Sequence, residues 1–147
     1  MPKYEKCVIV IEDWQMQCCG TSFKLGDRVD WLVAKYGKRS EVTESDIDYY
    51  YEHHSSEWEK LFKAKGTVAK IQAMYCRLEA RPNEFGNKQG MVNYRIYEKA
   101  VEVDTAYGCG DDEGWHDDID GLEFGEYELT LHNCDIAPAK QSEVTFS

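Results

Sequence analysis

The sequence lacks any long hydrophobic run. Its longest aliphatic stretch, Val8 to Ile11, is far shorter than the roughly 20 apolar residues that a membrane-spanning helix needs. The first residues, Met1 to Cys7, also lack the apolar segment and cleavage site of a secretion signal. These absences exclude a spanning helix, disfavour a membrane as a partner, and predict a cytoplasmic protein.

Basic residues are few relative to acidic ones. The chain has 17 Lys and Arg against 28 Asp and Glu, for a formal net charge of -11. Because DNA carries a negative charge about every 1.7 Å of its axis, a chain this acidic is not expected to bind nucleic acid. The charge suits a protein partner with a basic surface, or a small cationic ligand. Solubility is the plainer explanation of the same charge.

Motifs of common catalytic and nucleotide-binding sites are missing. There is no G-x-S-x-G, no P-loop and no G-x-G-x-x-G. An EF-hand alignment on Asp118 and Asp120 places His116 at the first position and Tyr127 at the twelfth, where the loop needs carboxylates. The sequence therefore favours a non-enzymatic protein.

Apolar and aromatic residues, in contrast, are abundant enough to form a core. Hydrophobic residues make up 42% of the chain and aromatic residues 13%, which excludes wholesale disorder. A length of 147 residues is typical of one domain. We expect residues 1–147 to form a single domain with a polar C-terminal tail from about residue 139.

Alternating apolar residues predict about five strands. The segments with this pattern are residues 4–11, 28–33, 66–78, 91–104 and 124–131. Gly26 fits the turn before the second strand, because glycine tolerates a positive φ. The length of the third strand predicts a bulge midway, with Val68 facing away from Ile71, and its natural partner is the fourth strand in a hairpin.

Residues 44–65 change to a helical period. One stripe recurs at spacings of three and four: Ile47, Tyr51, His54, Trp58 and Leu61. Ser55 and Ser56 leave open whether the segment is one helix or two. We predict a mainly β (α+β) fold, a small bent β-barrel of about five strands with one helix inserted between the second and third. The order of turn and strand units resembles SH3-like barrels, with the OB-like barrel as the alternative.

Two adjacent pairs of metal-ligand residues raise the hypothesis of a zinc site. Cys18-Cys19 and His53-His54 are suitable residue types, but zinc ligands usually come in pairs separated by two to four residues. The alternative is that Cys19 and His54 pack in the core and that the six cysteines are free thiols of a reducing compartment. We expect no cofactor, and zinc is the only one for which the sequence offers candidate ligands.

A second set of metal-ligand residues occurs later in the chain. Cys109, His116, His132 and Cys134 could meet across a loop and a strand end, but their spacing matches no recognised zinc pattern. The alternative is an exposed acidic loop that contains a thiol.

Aromatic and acidic residues in irregular segments predict a binding surface. Residues 12–20 have neither a strand nor a helix period, and residues 107–125 form an acidic, glycine-rich surface loop. Exposed aromatic rings beside carboxylates favour cations over anions. The residues that we expect to contact a ligand or partner are Trp14, Gln15, Trp115, Asp117 and Asp118.

Residues 12–20, EDWQMQCCG, and residues 26–31, GDRVDW, resemble the first part of a bacterial family of small proteins of unknown function. Members of that family carry a later His-His pair and a G-x-V strand, which correspond here to residues 53–54 and 66–68. The resemblance implies kinship without an activity. It also implies that one set of residues belongs together: Trp14, Cys18, Cys19, His53 and His54.

The sequence as a whole is most typical of a non-enzymatic cytoplasmic binding or interaction module that uses its aromatic and acidic loops. One alternative is a zinc-binding protein with a Cys/His site. Another is an acidic inhibitor, such as an immunity-type protein, that neutralises a basic partner.

Overall fold

A computed structural model describes residues 3–18, 21–40, 42–52, 60–82, 90–108 and 118–140. Strands account for nearly all of the regular structure in these ranges. The elements in chain order are β1 (Lys3–Glu12), α1 (Asp13–Cys18), β2 (Phe23–Lys24), β3 (Arg28–Arg39), β4 (Asp46–Tyr51), β5 (Leu61–Pro82), β6 (Met91–Val103), β7 (Thr105–Ala106) and β8 (Glu123–Pro138).

Five of the strands form a closed barrel. Their order is β3-β4-β1-β8-β5, and an additional pairing of β3 with β5 closes the ring. The β1–β4 pair is parallel and the other pairs in the ring are antiparallel. β6 extends the sheet beyond the barrel by pairing with the second half of β5. This architecture confirms the predicted mainly β barrel.

Apolar side chains that alternate along the strands fill the barrel. On β8, Tyr127, Leu129 and Leu131 are fully buried, and the residues between them lie on the outer face. Ile9 of β1 and Ile71 of β5 lie opposite Leu129 in the register and are also fully buried. The core face predicted for the last strand is therefore confirmed.

The long strand β5 bends as predicted. Its register shifts at several points against β8 and once against β6, which is where an extra residue increases the local twist. Because of these irregularities Val68 and Ile71 are both fully buried, so the prediction that they lie on opposite faces was wrong. The predicted hairpin between β5 and β6 is confirmed.

The predicted helix over residues 44–65 is wrong. Residues 46–51 form β4, which lies between β1 and β3, and β5 begins at Leu61. Residues 53–59 lie outside the described ranges. Ile47 and Tyr51 match a helical spacing, but the neighbouring strands supply the backbone hydrogen bonds, and this tertiary pairing overrides a local pattern.

Residues 13–18, predicted to be irregular, form the short helix α1 instead. Met16 is fully buried and Gln15 nearly so, so α1 lies against the end of the barrel. No helix in the described part of the chain is long and apolar enough to cross a membrane. Gly26 occupies the predicted turn, with a φ of 89°.

Candidate functional site

A cleft of about 260 Å³ lies on the outer face of the sheet, above β5 and β8. One wall is the β3–β4 hairpin and the other is β6. We call it the Glu126 cleft. Its lining combines apolar, aromatic and charged side chains, chiefly Tyr36, Ile47, Met74, Arg95, Tyr97 and Glu126.

Glu126 is the acidic group of this cleft. It precedes the buried Tyr127 on β8, so the strand alternation directs it outward. Burial raises the pKa of Glu126 to about 7, and the charges of Glu12 and Glu128 add to that rise. The Tyr97 hydroxyl donates a hydrogen bond to its carboxylate, which acts in the opposite direction. A strongly perturbed carboxyl in a cleft marks a candidate functional site.

Gly125 determines where the Tyr97 ring lies. A Cβ at Gly125 would lie 2.6 Å from the Tyr97 hydroxyl oxygen, which is closer than real Cβ atoms approach, and 3.0 Å from its Cε1. The ring therefore packs directly on the backbone of β8, beside Glu126. Burial, and then the charge of Glu126, raise the pKa of Tyr97, so this phenol stays a hydrogen-bond donor at neutral pH.

Arg95 connects this site to α1. Its guanidinium donates to both carboxylate oxygens of Asp13, at 2.8 Å and 3.0 Å, and to the carbonyl of Gly125 at 3.1 Å. Such bidentate pairs have a defined geometry. The positive charge of Arg95 is thus engaged mainly by Asp13, and Glu126 keeps its raised pKa although Arg95 is nearby.

Tyr36 forms the wall opposite Tyr97. Its ring packs edge-on against Tyr50, with 5.6 Å between ring centres, and the Lys38 ammonium lies 5.3 Å from its centre. Burial raises the pKa of Tyr36, and the charges of Glu126 and Glu12 contribute. Tyr36 remains 39% exposed, so these contacts cover it only in part.

Glu128 holds the β3–β4 hairpin over the outer face. Although it is a carboxylate, it is only 3% exposed, and it accepts a hydrogen bond from the Thr43 hydroxyl at 3.0 Å. Burial raises its pKa, and hydrogen bonds from Thr43 and Ser40 oppose that rise. This buried acceptor fixes the segment that closes one side of the Glu126 cleft.

The predicted contact residues are only partly covered by the structure. Trp14 is 45% exposed, and its indole N–H donates to Glu12 at 3.1 Å. Gln15 is buried, and its amide donates to the Tyr51 carbonyl at 3.4 Å. Asp118 is exposed. The remaining two predicted residues, Trp115 and Asp117, lie outside the described ranges.

The topology places two of the predicted segments at the same end of the barrel. Glu12 at the end of β1 lies opposite Glu126 near the start of β8. Trp14 follows β1 and Asp118 precedes β8, so both lie at that end. The Trp14 indole donates to Glu12, and the charge of Glu12 acts on Glu126, so Trp14 lies on the same side of the molecule as the Glu126 cleft.

The structure brings no predicted metal set together in its described part. Cys18 is the last residue of α1, whereas Cys19, His53 and His54 lie outside the described ranges. Among the residues placed by the structure, no group of three or more His, Cys, Asp and Glu could hold a metal ion.

The later metal set is divided between two faces of β8. His132 is exposed, while Cys134 is fully buried and donates from its Sγ to the Leu131 carbonyl at 3.2 Å. Asn133, between them, has a φ of 53°, and this irregular backbone separates the two side chains. Cys109 and His116 lie outside the described ranges.

The described free thiols, Cys7, Cys76 and Cys134, are all buried. Burial raises the pKa of each, that of Cys76 to about 11. Since the thiolate is the reactive species, burial disfavours reaction at these three core thiols.

Sequence reasoning missed the main residues of the Glu126 cleft: Tyr36, Arg95, Tyr97 and Glu126. One signal was present, because Glu126 and Glu128 alternate with apolar residues in a predicted strand. That pattern normally indicates a solvent-exposed face. Nothing local shows that a hairpin from residues 36–47 covers this face.

Comparison with other proteins identifies the family. No curated protein and no solved structure matches this chain. Residues 5–122 match a family of unknown function, DUF6578. The matched range includes the segments that resemble an uncharacterised family, residues 12–20, 26–31, 53–54 and 66–68. This chain therefore belongs to the DUF6578 family.

Proposed function

We propose that this protein is a non-enzymatic, cytoplasmic binding module, and that the Glu126 cleft receives a small ligand with a protonated amine. The observation that carries the proposal is a mostly buried carboxylate, Glu126, that faces a cleft with an aromatic wall. The buried free thiols support a reducing compartment.

The electrostatics of the cleft favour a cation. Two further carboxylates, Glu12 and Glu128, act on Glu126 and disfavour its ionised form. Arg95 is paired bidentately with Asp13. A ligand ammonium would supply the missing positive charge, because an opposite charge at close range favours an ionised carboxylate.

The rest of the cleft suits an apolar group. Met74 and Ile47 are buried under it, and the partly exposed ring of Tyr36 forms its side. Small-molecule sites typically combine such apolar walls with a few polar groups that fix orientation. A ring joined to an amine by a short linker has both features, and phenethylamine is a suitable probe.

We expect phenethylamine to bind more tightly than its neutral analogue phenethyl alcohol, and phenylacetate not to bind. NMR titration of the wild-type protein with each compound tests this expectation. The amine should shift the resonances of residues around Glu126. Equal shifts with the alcohol and the amine would contradict recognition of the charge.

Glu126→Gln should weaken amine binding by about 10-fold or more, because a charge-assisted hydrogen bond is replaced by a neutral one. Glu98→Gln, which removes an exposed carboxylate of β6, is the matched control and should leave binding unchanged. Binding by the wild type should also strengthen as pH rises through about 7, where Glu126 ionises. An unchanged affinity in Glu126→Gln would remove the basis of the proposal.

A zinc site is the second candidate function. The Gln15 side chain bonds to the Tyr51 carbonyl, which joins α1, whose last residue is Cys18, to the end of β4. His53 and His54 follow Tyr51 closely in the sequence. Elemental analysis of protein purified from zinc-supplemented cells should then give about one zinc per chain, and its absence would exclude this candidate.

A further inference from the structure

One edge of β6 is open in the described structure. β6 pairs with β5 on one side and is the last strand in the sheet order. No strand of the described ranges pairs with its other side. A strand edge exposes unpaired backbone N–H and C=O groups, which provide a template for pairing with another chain.

The sequence of β6 is complementary to itself. Antiparallel pairing of two copies about the Glu98–Lys99 peptide sets these residues opposite each other: Glu98 and Lys99, Tyr97 and Ala100, Ile96 and Val101, Arg95 and Glu102, Tyr94 and Val103. Every charged residue meets an opposite charge, and every other residue meets an apolar or aromatic one. Such cross-strand pairs stabilise a sheet.

A β-bulge in β6 allows the residues that this register pairs to have their side chains on the same face of the sheet. The pairing between β5 and β6 shifts between Tyr75 and Cys76, because Glu98 is an extra residue of β6. In an unbroken strand Arg95 and Glu102 would point to opposite faces, since they are an odd number of residues apart. Glu98 reverses the alternation, so the side chains of Arg95 and Glu102 lie on the same face. Residues that are opposite each other in two paired strands must share a face in this way.

We propose that two copies of this chain pair through their β6 edges to form a two-fold symmetric dimer with one continuous sheet. A two-fold interface uses the same surface of both copies, so the Glu98–Lys99 contact occurs twice. Both side chains are held at the surface by exposed ion pairs, with Arg77 at 2.7 Å and with Asp120 at 3.1 Å. The dimer does not depend on the ligand proposed for the Glu126 cleft.

Sedimentation velocity over a wide range of protein concentration tests the dimer. The wild type should form dimers as concentration rises. Glu98→Lys and Lys99→Glu each place like charges opposite each other twice, so each variant alone should dissociate about 10-fold more readily or more. An equimolar mixture should restore a one-to-one dimer, because one chain then carries two lysines and the other two glutamates at these positions.

The variants are expected to fold, because each removes only an exposed ion pair, worth about 1 kcal/mol or less. Slower amide hydrogen exchange of residues 91–103 in the wild type at high concentration provides a test without any variant. The proposal is overturned if the wild type stays monomeric with unchanged exchange. Dimerisation of either variant as in the wild type, or no rescue in the mixture, would also overturn it.

Discussion

Replacing Gly125 with alanine should destabilise the fold by about 2 kcal/mol, the usual cost of inserting a methyl group into a well-packed site. The new Cβ would lie 2.6 Å from the Tyr97 hydroxyl oxygen and 3.0 Å from Cε1. The ring must move, and it then loses its hydrogen bond to Glu126. For a domain of this size the melting temperature should fall by several degrees, which calorimetry can measure.

A double-mutant cycle separates this clash from a general intolerance of side chains at position 125. In a Tyr97→Ala background the neighbouring ring is absent, so Gly125→Ala should cost much less than in the wild type. The coupling between the two substitutions would be the energy of the clash. Equal costs in both backgrounds would show that Tyr97 is not the reason for glycine at this position.

The second large effect is a loss of stability as pH rises. The pKa of Glu126 is raised from 4.5 to about 7 in the folded protein. Between these values the folded state binds more protons than the unfolded state. The contribution of Glu126 to the free energy of unfolding is therefore complete below pH 4.5 and is lost as pH rises through 7. The difference amounts to roughly 3 kcal/mol. Glu128, whose pKa is also raised by burial, acts in the same direction.

Glu126→Gln should remove most of this pH dependence. Glutamine still accepts the hydrogen bond from Tyr97 but carries no charge, so the variant should be more stable than the wild type at pH 8 and similar at pH 4.5. Urea unfolding at a series of pH values measures the effect. Glu98→Gln should retain the wild-type slope. An equally steep loss in Glu126→Gln would show that another group causes the pH dependence.

Several strands were predictable because the pattern that specifies them is local. The regions of β3, β5, β6 and β8 alternate apolar and polar residues, and Gly26 marks the turn before β3. Alternation places one face of each strand in a core whatever its neighbours are. The β5–β6 hairpin followed for the same reason, since the two strands are close in sequence.

The helical prediction failed because residues 44–65 contain two competing patterns. Ile47, Tyr51 and Leu61 match a helical stripe, but residues 46–51 are also compatible with a strand. The position between β1 and β3 decides between them, because it supplies hydrogen-bonding partners on both sides. Neither neighbour can be identified as a partner from the segment itself.

By itself, the sequence determined an acidic, strand-rich chain with an apolar core, because charge follows from composition alone and alternation is a pattern of residues close in sequence. Only the tertiary structure decided that Glu126 and Glu128 are covered. Their environment is created by Thr43 in a hairpin some 85 residues earlier and by Tyr97 packing on Gly125. Burial of a strand's outer face depends on which distant segment packs over it, and that packing exists only in the folded chain.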